Sequence, residues 1–227
     1  MLRSRSEGPP EQSFSGRAVK NRSLVSRLFA PRPAKAAGRA LFDSAAAQAR
    51  TPALYRDGGV PDTVEGRFEC YALHIDLVLH RLKGQGPEAA EVGQALFDRF
   101  LDNLDEGLRD MGVGDLSVGK KMRKLGEAIY GRMKGYDAAL DALIADPGPD
   151  HDPASLAPLA ALIGRVLFGA DDAPEAGPLA AYAATCARTL AAQPLEAVLA
   201  AELAWPVFSA STSGQPILGT SDPDTPR

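Results

Sequence analysis

Two cysteines, three histidines and one tryptophan are thinly spread through 227 residues. Cys70 and Cys186 make neither a disulfide framework nor a four-ligand metal site. Aromatic residues are 6% of the chain, few for a β-sandwich or barrel, whose strands favour them. No apolar run reaches the ~18 residues that a membrane-spanning helix needs. The most apolar stretch, 178–205, is interrupted by Arg188, Pro194, Glu196 and Glu202. No apolar segment follows the early arginines in the manner of a secretory signal. These absences exclude a membrane-spanning protein and a disulfide-rich secreted domain. What is present, 45% hydrophobic and 24% charged residues, is the make-up of a globular protein. The length suits one medium domain with tails.

Charge is unevenly placed. Residues 1–50 carry ten basic groups against Glu7, Glu11 and Asp43, a net of +7, and the remainder carries a net of −11. A basic arm therefore precedes an acidic body. Such an arm fits a solvated tail, a transit peptide, a nucleic-acid or ribosome contact, or an anionic membrane surface. Residues 1–33 are assigned to this largely disordered arm, 34–206 to a helical domain and 207–227 to a flexible tail rich in Ser, Thr, Gly, Pro and Asp.

The body reads as all-α: a single helical domain of about eight helices. Ala34 to Arg50 is Ala-rich and helical, and Pro52 starts a further turn. Thr63 offers an N-cap to the clearest element, 62–82. Its apolar residues Val64, Phe68, Tyr71, Ile75, Val78 and Leu82 are spaced by three and four, a helical stripe. Leu73, Leu77 and Leu79 widen that stripe, so the helix is expected to be central, with Val64, Phe68, Tyr71, Ile75 and Val78 mostly buried. Glu88 to Met111 follows, with Val92, Leu96, Phe100, Leu104, Leu108 and Met111 as its buried stripe and an acidic outer face. Gly112-Val113-Gly114 breaks the chain. A basic helix, 117–134, then carries Lys120, Lys121, Arg123, Lys124, Arg132 and Lys134, and could pair with the acidic face before it. Gly135 is read as an interruption, with a short helix from Tyr136 to Ala145. Residues 146–153 form a loop, Ser155 to Phe168 a helix, and 178–192 and 194–204 two more.

No catalytic constellation is visible. Cys70 and His74, and Asp76 and His80, are pairs four apart on one helix face. Cys70 and His74 could supply zinc ligands, but His151 and Cys186 are remote, and a structural site needs four. A Cys70–His74 nucleophile pair would lie mid-helix, poorly placed to share a substrate. There is no phosphate-binding glycine loop, no HExxH and no paired CxxC. No metal or cofactor is expected.

Several segments are more telling together than alone: Tyr71-Ala72-Leu73-His74-Ile75-Asp76-Leu77-Val78-Leu79-His80-Arg81-Leu82, Met111-Gly112-Val113-Gly114-Asp115 with Lys120-Lys121-Met122, Gly135-Tyr136-Asp137-Ala138-Ala139-Leu140, and Leu156 to Phe168. In them, residues 55–145 resemble the ubiquinol–cytochrome c chaperone family. The resemblance implies a non-enzymatic assembly chaperone. Such a protein holds newly made cytochrome b, in some members near the ribosome, and supports assembly of ubiquinol–cytochrome c reductase. Mitochondrial members work with a small helical co-chaperone. The Ala-, Pro- and Arg-rich usage here looks bacterial, which places the expected protein in the cytoplasm, peripheral at the inner membrane. The expected client surface is a groove flanked by 62–82 and 117–134, with His74, Arg81, Lys120, Lys121, Lys124, Tyr136 and Asp137 as partner-binding candidates. His74, Tyr136 and Asp137 equally suit hydrogen bonds between helices, and the lysines equally suit a solvated face. The rival readings are a ribosome- or nucleic-acid-binding helical module using the arm, without a specific DNA motif, and an enzyme using Cys70 and His74.

Overall fold

Proline opens four of the helices in the computed structural model, which describes residues 33–110, 115–145 and 152–209. Pro33, Pro52, Pro87 and Pro153 each stand at a first helical position, where the missing N–H would have had no partner in any case. The helices are α1 (Pro33–Ala49), α2 (Pro52–Arg56), α3 (Val64–Leu82), α4 (Pro87–Asp110), α5 (Asp115–Ala145), α6 (Pro153–Ile163), α7 (Ala176–Ala192) and α8 (Leu195–Leu199). A π turn, Gly164–Phe168, extends α6. The described residues hold no strand, and the all-α expectation is met. The basic arm, the Gly112–Gly114 break and most of the 146–153 loop lie outside the described residues. So do the side chains of Lys120 and Lys121.

Helix α3 is the axis. It packs against α1, α4, α5, α7 and the π turn, and every residue from Ala72 to Val78 is buried. Its start is set as the sequence suggests, with the Thr63 hydroxyl accepting from Gly66 N–H at 3.1 Å. Leu41, Leu54, Leu73, Ile75, Leu77, Leu96 and Phe100 form the centre of the core. Close approach is made possible by glycine at two crossings. A Cβ on Gly38 of α1 would stand 2.6 Å from the Leu96 nitrogen of α4, and one on Gly135 of α5 would stand 2.9 Å from Leu162 Cδ2 of α6.

Gly135 thus corrects one expectation. It does not interrupt the chain: α5 runs unbroken for 31 residues. A glycine in a helix carries a conformational cost, and here it leaves room for the Leu162 side chain of α6. Three other expectations change. Val64 is 65% exposed, and Phe68 and Tyr71 are only half-buried, because no described helix lies over that face of the first turns of α3. The last helix is five residues long, not eleven. In the tail expected to be loose after Pro206, Phe208 is instead anchored: it is 4% exposed while its neighbour Val207 is 85% exposed, and it meets Tyr182 edge-to-face at 5.4 Å.

Candidate functional site

Three features surround α3, and the sequence candidates divide among them. The first is an apolar groove of about 600 Å³. Its α3 wall is Val64, Phe68 and Tyr71. Phe42 and Ala46 of α1, Tyr55 of α2, Leu104 and Leu108 of α4 and Leu125 of α5 add to its apolar lining, and Asp43, Arg50, Glu65, Arg67 and Asn103 line it as well. Aromatic rings make its floor: Phe42 meets Tyr71 edge-to-face at 5.3 Å, Tyr71 meets Phe100 at 5.7 Å, and Phe68 stacks on Phe100 at 6.2 Å. Arginines lie against the rings, Arg67 over Tyr55 at 5.4 Å and Arg99 over Phe42 at 5.1 Å, contacts favoured by the ring quadrupole. The expected groove between 62–82 and 117–134 is present in part. Leu125 contributes from α5, but α1 and α4 supply most of the facing wall. Of the candidates with described side chains, His74, Arg81, Lys124, Tyr136 and Asp137, none lines it. The signal that pointed here was in the stripes themselves. Apolar residues continue at Leu104 and Leu108, and at Val64 and Phe68, beyond the point where a neighbouring helix covers them.

The second feature is a closed polar lock on the opposite side of α3. His74 is fully buried. Its Nδ1–H donates to the Cys70 carbonyl at 2.7 Å, and its Nε2 lies 3.0 Å from the Tyr182 hydroxyl. Burial pulls the imidazole down to about 4, so it is neutral and Nε2 accepts. The Tyr182 hydroxyl therefore donates to His74, and it accepts from Gln48 Nε2 at 2.8 Å. Trp205 lies tilted against the His74 ring, with centroids 5.7 Å apart, and its indole N–H donates to the Ser44 hydroxyl at 3.1 Å. Cys70 points its thiol at the Ala49 carbonyl, 3.6 Å away, where the Tyr55 hydroxyl also donates at 2.7 Å. Desolvation raises both thiols, Cys70 and Cys186, to about 12, so neither is a nucleophile at neutral pH. The Cys70–His74 pair is thus packed into a helix junction.

The third feature is a charged cleft of about 200 Å³ between α3 and α5, lined by Asp76, Leu79, His80, Lys83, Met133, Tyr136, Asp137 and Leu140. Glu69 is bridged to Arg132 at 2.8 Å, yet its carboxyl is raised to about 7, chiefly by burial. Asp76, 7% exposed, is pushed well above the usual carboxylate range by burial and by Asp137 and Glu69 nearby. Tyr136 is 2% exposed, and its hydroxyl has no hydrogen-bond partner among the described residues. At the mouth, Lys83 bridges Asp137 and Asp141, each at 3.2 Å. His80 donates to Asp141 at 2.9 Å.

Of the candidates, Tyr136 and Asp137 come together in this cleft. His74 belongs to the lock and has no surface. Arg81 reaches across to the end of α7, donating to the carbonyls of Leu190 and Gln193 at 2.8 and 2.9 Å, where a cation also suits the helix dipole. Lys124 is exposed. Among the described residues, no three His, Cys, Asp or Glu side chains converge to hold a metal ion. No helix among them is long and apolar enough to cross a membrane.

These features define an all-α protein with an open apolar groove and a charged cleft along one central helix. The chain belongs to the ubiquinol–cytochrome c chaperone family: the family described as Ubiquinol-cytochrome C chaperone matches residues 56–205. Among solved structures, the Cbp3 homolog from Brucella abortus is similar, with a TM-score of 0.66 and 34% sequence identity, covering 78% of this chain and 92% of that one. No curated protein matches the chain. The family match reaches past residue 170, where the sequence segments alone had ceased to carry the resemblance.

Proposed function

We propose that this protein is a non-enzymatic assembly chaperone that binds newly made cytochrome b and supports assembly of ubiquinol–cytochrome c reductase. It works on the cytoplasmic face of a bacterial inner membrane. The observation that carries this reading is the family match over residues 56–205, a span that takes in the α3, α4 and α5 walls of the open apolar groove. A client whose segments are destined for lipid needs temporary apolar cover, and an aromatic-floored groove supplies it. The basic arm, with its excess of arginine, suits an anionic surface, each cation near such a surface being worth about 1 kcal/mol.

The test is a deletion strain. It is expected to lose assembled ubiquinol–cytochrome c reductase, read by native electrophoresis and by the haem absorbance of its membranes, while other respiratory complexes persist. Normal reductase in that strain would sink the reading. The full chain used as bait in mild detergent is expected to retain cytochrome b. Complementation with Val64→Asp refines the test. Position 64 is the first residue of α3 and exposed, so a carboxylate there suits the helix dipole and leaves the fold intact. Loss of valine burial, worth about 1.5 kcal/mol, is expected to weaken client retention about tenfold.

A further inference from the structure

We propose that the cleft between α3 and α5 is a receptor for an arginine side chain of a partner polypeptide, held by the Asp76 carboxylate and the Tyr136 hydroxyl. The argument begins with what lacks a partner. Asp76 and Tyr136 are both more than nine-tenths buried and both line the cleft. The Tyr136 hydroxyl is unpaired among the described residues, and Asp76 is one of the charges facing it. Such groups cost stability unless something satisfies them. Glu69 is bridged to Arg132, Asp137 and Asp141 to Lys83, and Asp141 also to His80. The Arg132 charge is also felt at Asp76 and Tyr136, and its Nη1, like the Tyr136 hydroxyl, has no hydrogen bond among the described residues. Asp76 is the cleft carboxylate that makes no ion pair among the described residues.

The shape selects the occupant. A volume of about 200 Å³ is below the ~300–1,000 Å³ of small-molecule sites, but it suits one long side chain. Leu79, Met133 and Leu140 offer an apolar wall to an aliphatic stem, and the acceptors offer an end to its charged head. Two acceptors of different kinds favour the planar guanidinium fork over a point-charged ammonium. The acidic body, net −11 after residue 50, attracts a basic segment as a whole. That the partner is a polypeptide rests on the chaperone reading; the cleft's preference for a guanidinium does not.

The probe is the blocked peptide acetyl-Ala-Ala-Arg-Ala-Ala-amide, titrated into the ¹⁵N-labelled full chain, with the citrulline analogue as its uncharged counterpart. Amide shifts are expected within 76–83 and 133–141, with the arginine peptide binding about tenfold tighter than citrulline. Asp76→Asn is expected to abolish that preference, and Tyr136→Phe to weaken binding about threefold. Lys83→Met removes a competing cation at the mouth and is expected to strengthen binding. Glu91→Gln, on the exposed side of α4, is expected to change nothing. Equal binding of the two peptides, undiminished binding by both Asp76→Asn and Tyr136→Phe, shifts confined elsewhere, or no shift up to the solubility limit would each overturn the proposal. Reductase levels in the deletion strain do not enter these readouts, so the receptor and the chaperone reading fail separately.

Discussion

His74 and Asp76 are two residues apart on α3, both buried, and they meet opposite circumstances. On the His74 side, each polar atom is answered: the imidazole by Cys70 and Tyr182, the Tyr182 hydroxyl by Gln48, and the Trp205 N–H by Ser44. On the Asp76 side, one oxygen of Glu69, Nη1 of Arg132 and the Tyr136 hydroxyl have no hydrogen bond among the described residues. The first arrangement fixes α1, α3, α7 and the C-terminal coil against one another. The second leaves buried polarity unanswered along the α3–α5 seam. A buried polar group costs about 1–3 kcal/mol when unpaired, so the two sides of one helix make opposite contributions to stability.

The comparison breaks most visibly at His74. His74→Ala leaves a cavity and an orphaned Tyr182 hydroxyl, and is expected to cost about 4 kcal/mol, read as a lower urea midpoint at neutral pH. Acid is the next largest effect. The folded imidazole sits at about 4 instead of its ordinary 6.5, so the unfolded chain takes up the proton first. This contribution is intact above pH 6.5 and is lost as pH falls toward 4, about 3 kcal/mol in all. Glu69, raised to about 7, works the other way, lowering stability as pH rises from the usual carboxylate range. The difference between the native chain and His74→Gln across pH 4–7 isolates the histidine, and a flat difference would refute the assignment. Asp76→Asn is the smallest change and of opposite sign. The folded carboxyl is raised, so the native chain loses stability as pH rises above the ordinary carboxylate range. The amide variant lacks that loss and is expected to gain about 1 kcal/mol at pH 8. A destabilised Asp76→Asn would mean that the carboxylate is structural after all.

Much of this was legible in the sequence, and the exceptions have physical causes. The three-and-four spacing from Val64 to Leu82 identifies α3 and its central place, because an apolar circumference has to be covered on several sides. Gly135 misleads, because helix propensity describes an isolated chain, whereas α5 is held on both sides of it by buried residues, Ile129 before and Tyr136, Leu140 and Leu143 after. The apolar groove is missed because periodicity shows which face is apolar, and not whether a neighbour lies on it. The cleft left one trace: Glu69 and Asp76, seven apart, share a face of an otherwise apolar helix. The ion-pair partner of Glu69, Arg132, is 63 residues away, and no local pattern links them. His74 and Arg81 stand out as polar groups in an apolar helix, but their answering groups, Tyr182 and the Leu190 and Gln193 carbonyls, lie more than 100 residues away.

The unbroken length of α5 also sets a distance. Leu125 in the groove and Tyr136 in the cleft are eleven residues apart, as are Phe68 and Leu79 on α3. Eleven residues make three turns and about 20° over, so each pair shares a face, separated by about 17 Å along its helix. Groove and cleft are thus consecutive stations on one track, read by two rails with the same gauge. An extended segment covers that interval in about five residues, and a helical one in eleven. A break in α5 at Gly135 would have left the stations free to drift apart. As one rigid rod, it holds the apolar station and the charged one at a fixed interval.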